Sequence, residues 1–411
     1  MRRSYNELAF EDRNPMRIRR CSILFLEPRE ETAFDLGVLL AGGDGLSRTK
    51  RWVALAPHVG EEVEVDAVER ELLGSLGSQH WITATALEPA VQAALKRLLK
   101  TGLVIGSTKA HAMHRARDER LRDTHWHPLA ATLHAFTRWD GADAVKNMQD
   151  SGTETAASMR AVLGAPPVEA ASRDDGARRL PLPRAERSDF DALLARRATC
   201  RNFDASRPLP HALFAQLLER VFAAQAQVRV TDDTVVLKKN SPSGGGLHPV
   251  EAYLVVQNVE GVAPGLYHYH ATAHALEPLA WPDGEPAPDA DALRTFVMEA
   301  VAQQHWFADA HALVLLAPRF ARTFWKYRRH AKAYRVIALE AGHLSQNLYL
   351  AATDAGLGAF ITGAINEVFL EQAFGLDPVC EGALAVCGFG WRAEEMVTTE
   401  FDPAGAVWQE A

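Results

Sequence analysis

Three short segments in the second half of the chain carry residues suited to holding a flat cofactor that bears a phosphate. Arg196–Phe203 places several guanidiniums and a hydroxyl in a short turn, and guanidinium groups bind phosphate oxygens in a bidentate manner. Pro242–Gly246 is rich in glycine, whose missing side chain lets a flat ring lie against backbone donors. Gly356–Gly363 adds a second run of small residues. Each segment alone is typical of a surface turn or a loop, and their combination predicts a cofactor site.

The order of these segments resembles that of the nitroreductase-like flavin proteins, in which an arginine-rich start, a PSxG loop, a long helix and a GLG return follow one another. Within that family the chain is most similar to the SagB-type dehydrogenases, which include azoline oxidases of peptide natural-product pathways. The resemblance begins near residue 188, runs to the end of the chain and rests on these stretches: Pro242–Tyr253, Trp325–Tyr327, Tyr334–Arg335, Glu340–Leu344 and Ala351–Gly358.

The resemblance implies an FMN cofactor held between the two subunits of a homodimer. By the same resemblance, Arg197, Thr199 and Arg201 would bind the FMN phosphate and the ribityl or pyrimidine edge, with Arg392 as a late phosphate partner. Thr199 stands where the family has a serine and keeps the hydroxyl. Ala198 replaces a common arginine.

The ring of the implied flavin would lie against the glycine-rich segments. The resemblance assigns Ser243, Gly244 and Gly245 to the isoalloxazine ring. It places Thr362 and Gly363 near the reactive N5 atom, where a backbone donor tunes the flavin. The first of these loops is not a Walker loop, because no Gly-Lys-Ser/Thr follows it.

Lys326 and Tyr327 match the Lys-Tyr pair of azoline oxidases in the resembled branch. Dehydrogenating a C–C bond beside an imine or amide requires a base for the acidic Cα proton while the flavin accepts a hydride from Cβ. Lys326 would be that base, and the nearby Arg322, Arg328 and Arg329 would favour its neutral form. Tyr327 would share the proton or polarise the substrate. Alternatively, the pair only begins a basic helix face.

Three functions are compatible with these residues. The first is an FMN-dependent dehydrogenase that acts on a ribosomally synthesised precursor peptide, with azoline-to-azole oxidation as its most specific version. The second is a flavin enzyme that uses NAD(P)H to reduce a small molecule or a dehydroamino acid. The third is a non-catalytic peptide-binding partner with a degenerate flavin domain. The first implies a precursor-peptide leader as partner, together with a cyclodehydratase or another maturation enzyme.

Alternating helices and strands predict an α+β domain that positions these segments. The central element is a long helix over His330–Ala355, which has one apolar stripe and a glycine, Gly356, placed to end it. The other expected elements are helices at Asp189–Ala195 and Pro210–Gln225 and strands at Thr234–Lys238, Val250–Gln257, Ala312–Leu316 and Leu384–Cys387.

The N-terminal part of the chain reads as a small separate domain. An alternating run at Arg17–Leu26 predicts a strand, Arg51–Leu55 another, and Val65–Leu76 and Pro89–Lys100 two amphipathic helices. This pattern resembles a winged helix, and more particularly the PqqD-type peptide-recognition domains fused to peptide-modifying enzymes. A leader peptide could add as a strand to the open edge of Arg17–Leu26. Scaffolding and DNA binding are the alternatives, and the second helix has few cations for DNA.

A boundary near residue 187 follows from composition, because residues 150–187 are rich in Ala, Pro, Gly and charge. We therefore expect a peptide-recognition-like domain at 1–110, a helical connector and linker at 111–187, and the flavin domain at 188–411. The connector is also rich in histidine, from His111 to His134. Its spacings match no closed ligand set, so no metal site is predicted.

Composition excludes several classes of protein. The 411 residues are 47% hydrophobic and 23% charged with a net charge of −8, which is ordinary for a globular protein and gives no sign of general nucleic-acid binding. Four cysteines without a CxxC pair indicate neither a disulfide framework nor a zinc ribbon. The start lacks a signal-peptide pattern, and no apolar run is long enough for a membrane helix. The sequence therefore favours a cytoplasmic protein with no membrane or nucleic-acid partner.

Overall fold

The computed structural model describes residues 15–173, 176, 178–284 and 289–408. Its contacts divide the chain into two compact units. The first contains the described residues up to Thr137 together with Phe324–Ala331, and the second contains Arg138–Thr323 and the described residues from Lys332 onward. The expected boundaries at 110 and 187 stay predictions. The predicted α+β class is confirmed, because helices and strands mix in both units.

The first unit places short helices beside two small antiparallel sheets. Its strands are β1 (Arg17–Arg20), β2 (Phe25–Phe34), β3 (Leu46–Leu55), β4 (Glu62–Glu64), β5 (Ile82–Thr83) and β6 (Val104–Gly106). Its helices are α1 (Leu36–Leu40), α2 (Ala67–Ser75), α3 (Gln92–Thr101), α4 (Ala112–Asp123) and α5 (Pro128–Phe136). The sheet orders are β5-β1-β6 and β2-β3-β4.

The run Arg17–Leu26 is two strands and not one. The break falls at Cys21–Leu24, where the Ser22 N–H donates to Asp118 Oδ1 at 2.5 Å instead of continuing a ladder. Strand β1 lies between β5 and β6, so the prediction that it offers an open edge is wrong. Strand β2 is at an edge of its sheet, because it pairs with β3 on one side and with no other strand in the described part of the chain.

Helices α2 and α3 supply part of the core of the first unit, and its strands and connecting segments supply the rest. Leu72 and Leu73 are buried as the amphipathic pattern predicts, whereas Val68 is 47% exposed. Helix α3 ends at Gly102, whose φ of +79° is the left-handed conformation that glycine adopts without strain.

The second unit is built around one antiparallel sheet with the strand order β11-β10-β9-β12-β14-β13. The strands of the second unit are β7 (Ala226–Thr231), β8 (Thr234–Lys238), β9 (Val250–Val256), β10 (Gly265–His270), β11 (Ala275–Pro278), β12 (Ala312–Pro318), β13 (Gly358–Thr362) and β14 (Ala385–Gly390). Its helices are α6 (Ala144–Asp150), α7 (Ala156–Leu163), α8 (Asp189–Arg196), α9 (His211–Phe222), α10 (Ala290–Ala300), α12 (Ala333–Asp354) and α13 (Glu367–Ala373), and α11 (Phe320–Lys326) begins in it.

The long helix α12 confirms the expected central element. Its apolar side chains, including Ile337 and Leu348, are buried, and Gly356 follows its end with φ +74°. Ala338, which the stripe also included, is exposed. The helix additionally buries a carboxyl group, that of Glu340, which is 2% exposed.

The predicted linker contains one helix, α7, whose residues are half-buried or exposed. From 164 to 187 the described residues form no helix or strand, which fits their Pro, Gly and Ala content. Every helix in the described part of the chain is too short or too polar to span a bilayer.

Candidate active site

One face of α12 holds the glycine-rich loop. Val336, Glu340, His343 and Asn347 follow one another at spacings of four, three and four residues, which places them on one side of a helix. The His343 ring lies 3.2 Å from the carbonyl oxygen of Pro242, and the Asn347 amide donates to Ser241 Oγ at 2.8 Å. Val336 packs against Gly244, and Glu340 accepts a hydrogen bond from Ser243. A single helix face therefore fixes the loop along its length.

Ser243 and Gly244 are the residues of this loop that the structure constrains most. Ser243 Oγ donates to the Glu340 carboxylate and accepts the N–H of His248 at 2.9 Å. A Cβ on Gly244 would lie 2.0 Å from Val336 Cγ1, which no side chain can occupy. Gly245 has φ +70°. The absence of a side chain at Gly244 therefore allows the loop to pack closely against α12.

Glu340 and His248 are buried titratable groups beside this loop. Burial raises the pKa of Glu340, and the hydrogen bonds from Ser243 and from the Val250 N–H only partly offset that effect. Burial, reinforced by the charges of the nearby lysines and Arg322, lowers the pKa of His248 to about 4. The imidazole is therefore neutral at physiological pH. His248 also has φ +46°, a strained value for a residue with a Cβ.

The arginine-rich turn lies against a later part of α12. Thr199 Oγ1 forms a 2.9 Å hydrogen bond with the hydroxyl of Tyr349, which also accepts the Ile361 N–H at 3.2 Å. The guanidinium of Arg197 lies 5.3 Å from the centre of the Tyr349 ring. Tyr349 thereby joins the turn to strand β13, which leads to the predicted N5 segment.

The three predicted phosphate arginines have different electrostatic surroundings. Among the described residues no carboxylate forms an ion pair with the guanidinium of Arg197 or Arg201, and both side chains are half-buried. Arg392 instead pairs with the buried Glu400. Two positive charges therefore remain available for an anion, and the third is already neutralised.

Glu400 anchors the arginine-rich turn. Its carboxylate accepts the backbone N–H groups of Arg201 and Asn202, at 2.5 and 3.1 Å, and the indole N–H of Trp408 at 2.9 Å. Burial favours a higher pKa for Glu400, but these hydrogen bonds and the Arg392 charge outweigh burial and hold its pKa below the ordinary value. The ionised carboxylate thus fixes the backbone that carries Arg201.

The predicted N5 segment follows β13. Thr362 is 8% exposed, and its hydroxyl faces the Gln304 amide, with Oγ1 3.1 Å from Nε2 and 3.2 Å from Oε1. Gly363 is exposed, and a Cβ added to it would meet no atom within 4 Å. A flat ring can therefore approach the backbone of Gly363, whereas the Thr362 side chain is buried and hydrogen-bonded to Gln304.

The glycine-rich loop and the arginine-rich turn contact different stretches of helix α12. Glu340 and Tyr349 are nine residues apart in α12, which corresponds to about 13 Å along the axis. Helix α12 is therefore the common support of all the predicted flavin segments in the second unit.

Lys326 and Tyr327 lie at and just after the end of α11, in the segment that groups with the first unit. The Lys326 ammonium is 5.4 Å from the centre of the Tyr327 ring. Lys326 is exposed and Tyr327 half-buried. The burial that would favour a neutral lysine is therefore not provided within the described chain, and the catalytic role of this pair stays a prediction.

Sequence reasoning missed four groups that organise the site. Glu340 and Asn347 interrupt the pattern of a largely apolar helix at helical spacing, and that signal was visible in the sequence. Gln304 and Glu400 act on segments far away in the chain, and nothing in the surrounding sequence marks them. In the described part of the chain, no group of three or more His, Cys, Asp or Glu side chains is arranged to hold a metal ion.

The chain matches the family model described as the Nitroreductase family over residues 194–391. A Methanocaldococcus jannaschii protein described as a nitroreductase is 30% identical over 193 residues, which cover 46% of this chain and 85% of that protein. The chain belongs to the nitroreductase family. The family resemblance carried by the motifs is thereby confirmed.

Two further relatives of this nitroreductase-family protein have names that describe peptide processing. The trifolitoxin-processing protein TfxB of Rhizobium leguminosarum is 31% identical over 36% of this chain and 38% of its own length. The microcin B17-processing protein McbC of Escherichia coli is 28% identical over 38% of this chain and 54% of its own length. The chain thus matches about half or less of each of these two relatives. A solved E. coli microcin synthetase McbBCD complex with truncated pro-MccB17 bound has a TM-score of 0.40 at 19% identity, covering 70% of this chain and 95% of that one.

Proposed function

We propose that this nitroreductase-family protein is an FMN-dependent dehydrogenase that oxidises a ribosomally synthesised precursor peptide, with azoline-to-azole oxidation as the specific reaction. The FMN proposal rests on the half-buried guanidiniums of Arg197 and Arg201, which flank Thr199 in the sequence and form no ion pair with any described residue. Together with the exposed backbone at Gly363, this donor set fits a phosphate joined to a flat ring. The names of TfxB and McbC support a peptide as substrate.

In this proposal the chain's own groups bind and orient the cofactor. Arg197 and Arg201 would hold the phosphate, the loop from Ser243 to Gly245 the ring, and the backbone at Gly363 the edge that carries N5. Bound FMN would supply the two-electron acceptor. The neutralised Arg392 would act indirectly, by keeping Glu400 and hence the Arg201 backbone in place.

Lys326 and Tyr327 are the residues that we propose for proton transfer. Oxidising an azoline forms a C=C bond as Cβ loses a hydride and Cα loses a proton. Lys326 would take that proton, and Tyr327, whose ring lies beside the ammonium, would orient the base or the substrate. Because Lys326 is exposed, the proposal requires the bound peptide or a second subunit to cover it. A homodimer with FMN at its interface belongs to the same proposal, and light scattering of the FMN-bound protein tests it.

The first unit is the proposed site for the leader peptide. Strand β2 supplies a sheet edge. A largely apolar cavity of about 400 Å³ is lined by side chains of α2, among them Val68 and Leu72, and by Leu87 and Val91. Substituting Val68→Glu in this cavity should weaken leader binding to the full chain in an anisotropy titration. Val228→Glu, at another exposed valine, in strand β7, is the control. Equal binding by both variants would remove the cavity from the proposal.

A second function, reduction of a small molecule by NAD(P)H, is favoured by the match to the M. jannaschii protein, which spans 85% of that relative. The two functions separate in one spectroscopic experiment. FMN-loaded protein that is bleached by an azoline-bearing peptide and not by NADH supports the peptide dehydrogenase. Rapid bleaching by NADH without peptide supports the reductase.

A further inference from the structure

A strained turn lies behind the predicted N5 segment. Ala302 and Gln303, which follow helix α10, have φ values of +48° and +62°. Neither is a glycine, and consecutive left-handed residues with a Cβ are energetically costly. Ala302 is fully buried, and its carbonyl accepts the N–H of Ala144 at 2.9 Å. The surrounding structure therefore imposes this conformation on the turn.

The turn delivers the side chain of the next residue, Gln304, to the segment after β13. Gln304 Nε2 lies 2.8 Å from the carbonyl oxygen of Val301, 2.7 Å from that of Ala364 and 3.1 Å from Thr362 Oγ1. Thr362 Oγ1 in turn accepts the Ala364 N–H at 3.1 Å. The buried amide thus fixes the residues on both sides of Gly363.

A second buried amide secures the other end of this segment. Asn366 is fully buried, its N–H donates to the carbonyl of Ala300 at 3.1 Å, and its side chain bonds to Ala142 and Glu299. The end of α10 and its strained turn therefore clamp the chain before and after Gly363, the one residue of the segment left open to approach.

We propose that Gln304 is a positioning residue that sets the orientation of the Gly363 backbone toward the flavin N5, and that the Ala302–Gln303 turn is strained in order to place it. This inference rests on the proposed FMN site and adds a device that controls the reactivity of the flavin. A backbone N–H aimed at N5 stabilises the oxidised ring, where N5 is an acceptor, and gains nothing from the reduced ring, where N5 carries a proton. Losing that alignment should raise the reduction potential.

The test is the midpoint potential of bound FMN, measured by spectroelectrochemical titration, together with the FMN affinity. Gln304→Met keeps the side-chain volume and removes the hydrogen bonds. We expect oxidised FMN to bind about tenfold more weakly than to wild type and reduced FMN to bind equally well, which raises the potential by about 30 mV. Gln225→Met is the matched control, because the Gln225 amide also donates to backbone carbonyls but lies at an exposed position.

A pair of variants at Gln303 tests the strained turn without altering the Gln304 amide. Gln303→Gly tolerates the left-handed conformation and should keep the wild-type potential, whereas the β-branched Gln303→Val opposes it and should raise the potential as Gln304→Met does. A wild-type potential in FMN-bound Gln304→Met, or equal shifts in the two Gln303 variants, would overturn the proposal. If the wild-type protein binds no FMN, the proposed function itself fails, and this inference fails with it.

Discussion

The two unpaired arginines give the sharpest prediction about cofactor binding. Arg201 presents its backbone N–H to Glu400, but its guanidinium forms no ion pair in the described part of the chain. Replacing it with alanine therefore removes a charge without removing the contact that holds the turn. A charge-assisted hydrogen bond contributes about 1.5 to 3 kcal/mol. At about 1.4 kcal/mol per factor of ten, Arg201→Ala should weaken FMN binding by about 10- to 150-fold.

Arg392 provides the contrast that separates cofactor binding from folding. Its guanidinium neutralises Glu400, whose side chain is fully buried. Arg392→Ala would leave a buried carboxylate unpaired, a change that costs about 3 to 5 kcal/mol. Its main effect should be a lower melting temperature of the flavin-free protein. Arg201→Ala should leave that temperature nearly unchanged.

The assay is a titration of flavin-free protein with FMN, followed by quenching of flavin fluorescence at two salt concentrations. Arg196→Ala is the matched control, because Arg196 is a neighbouring arginine that is exposed at the end of α8. The affinity of Arg201→Ala should fall at both salt concentrations, and that of Arg196→Ala should stay near wild type. Wild-type affinity in Arg201→Ala, or an equal loss in Arg196→Ala, would refute the placement of the phosphate.

Three further predictions follow from other parts of the second unit and from the Lys-Tyr pair. Lys326→Ala and Tyr327→Phe should keep FMN but slow peptide oxidation by about 10² to 10⁴ in single-turnover kinetics, and unchanged turnover would exclude the proposed base. Gly244→Ala should displace the loop, because its Cβ would lie 2.0 Å from Val336 Cγ1, and full FMN occupancy in that variant would contradict a close-packed ring surface. Burial raises the pKa of Glu367 to about 7, so its protonated form favours the folded state: the contribution of Glu367 to stability should be fully present below about pH 4.5 and be lost as the pH rises through 7. Glu367→Gln should flatten this part of the profile in thermal melts, and a wild-type slope in the variant would show that another group is responsible.

Several elements of the second unit were predictable because their periodicity is local. Helix α12 follows its apolar stripe and ends before Gly356, and strands β8, β9 and β12 begin at their predicted residues. The split of Arg17–Leu26 was not predictable, because it depends on a hydrogen bond from Ser22 to Asp118, a residue far along the chain. Long-range polar contacts of this kind leave no periodic signal.

The candidate site also has features that the sequence could predict and features that depend on the fold. Motif resemblance predicted Arg197, Arg201 and the loop at Ser243 as site residues, but it could not show that Arg392 is paired with Glu400 whereas the other two arginines have no ion-pair partner among the described residues. That distinction depends on Glu400, which only the fold brings to the turn. Resemblance also predicted Lys326 and Tyr327 as the catalytic pair. It could not show that Lys326 is exposed, because the burial of a side chain depends on the folded surroundings.

The most direct test of the central claim follows both redox partners in one anaerobic reaction. Protein loaded with FMN is mixed with an azoline-bearing precursor peptide. The absorbance of the oxidised flavin is recorded during the reaction, and the mass of the peptide is measured by mass spectrometry. The proposed function predicts that the flavin is bleached as the peptide loses two hydrogens, one peptide for each flavin. A peptide of unchanged mass beside a flavin that only NADH can bleach would contradict it.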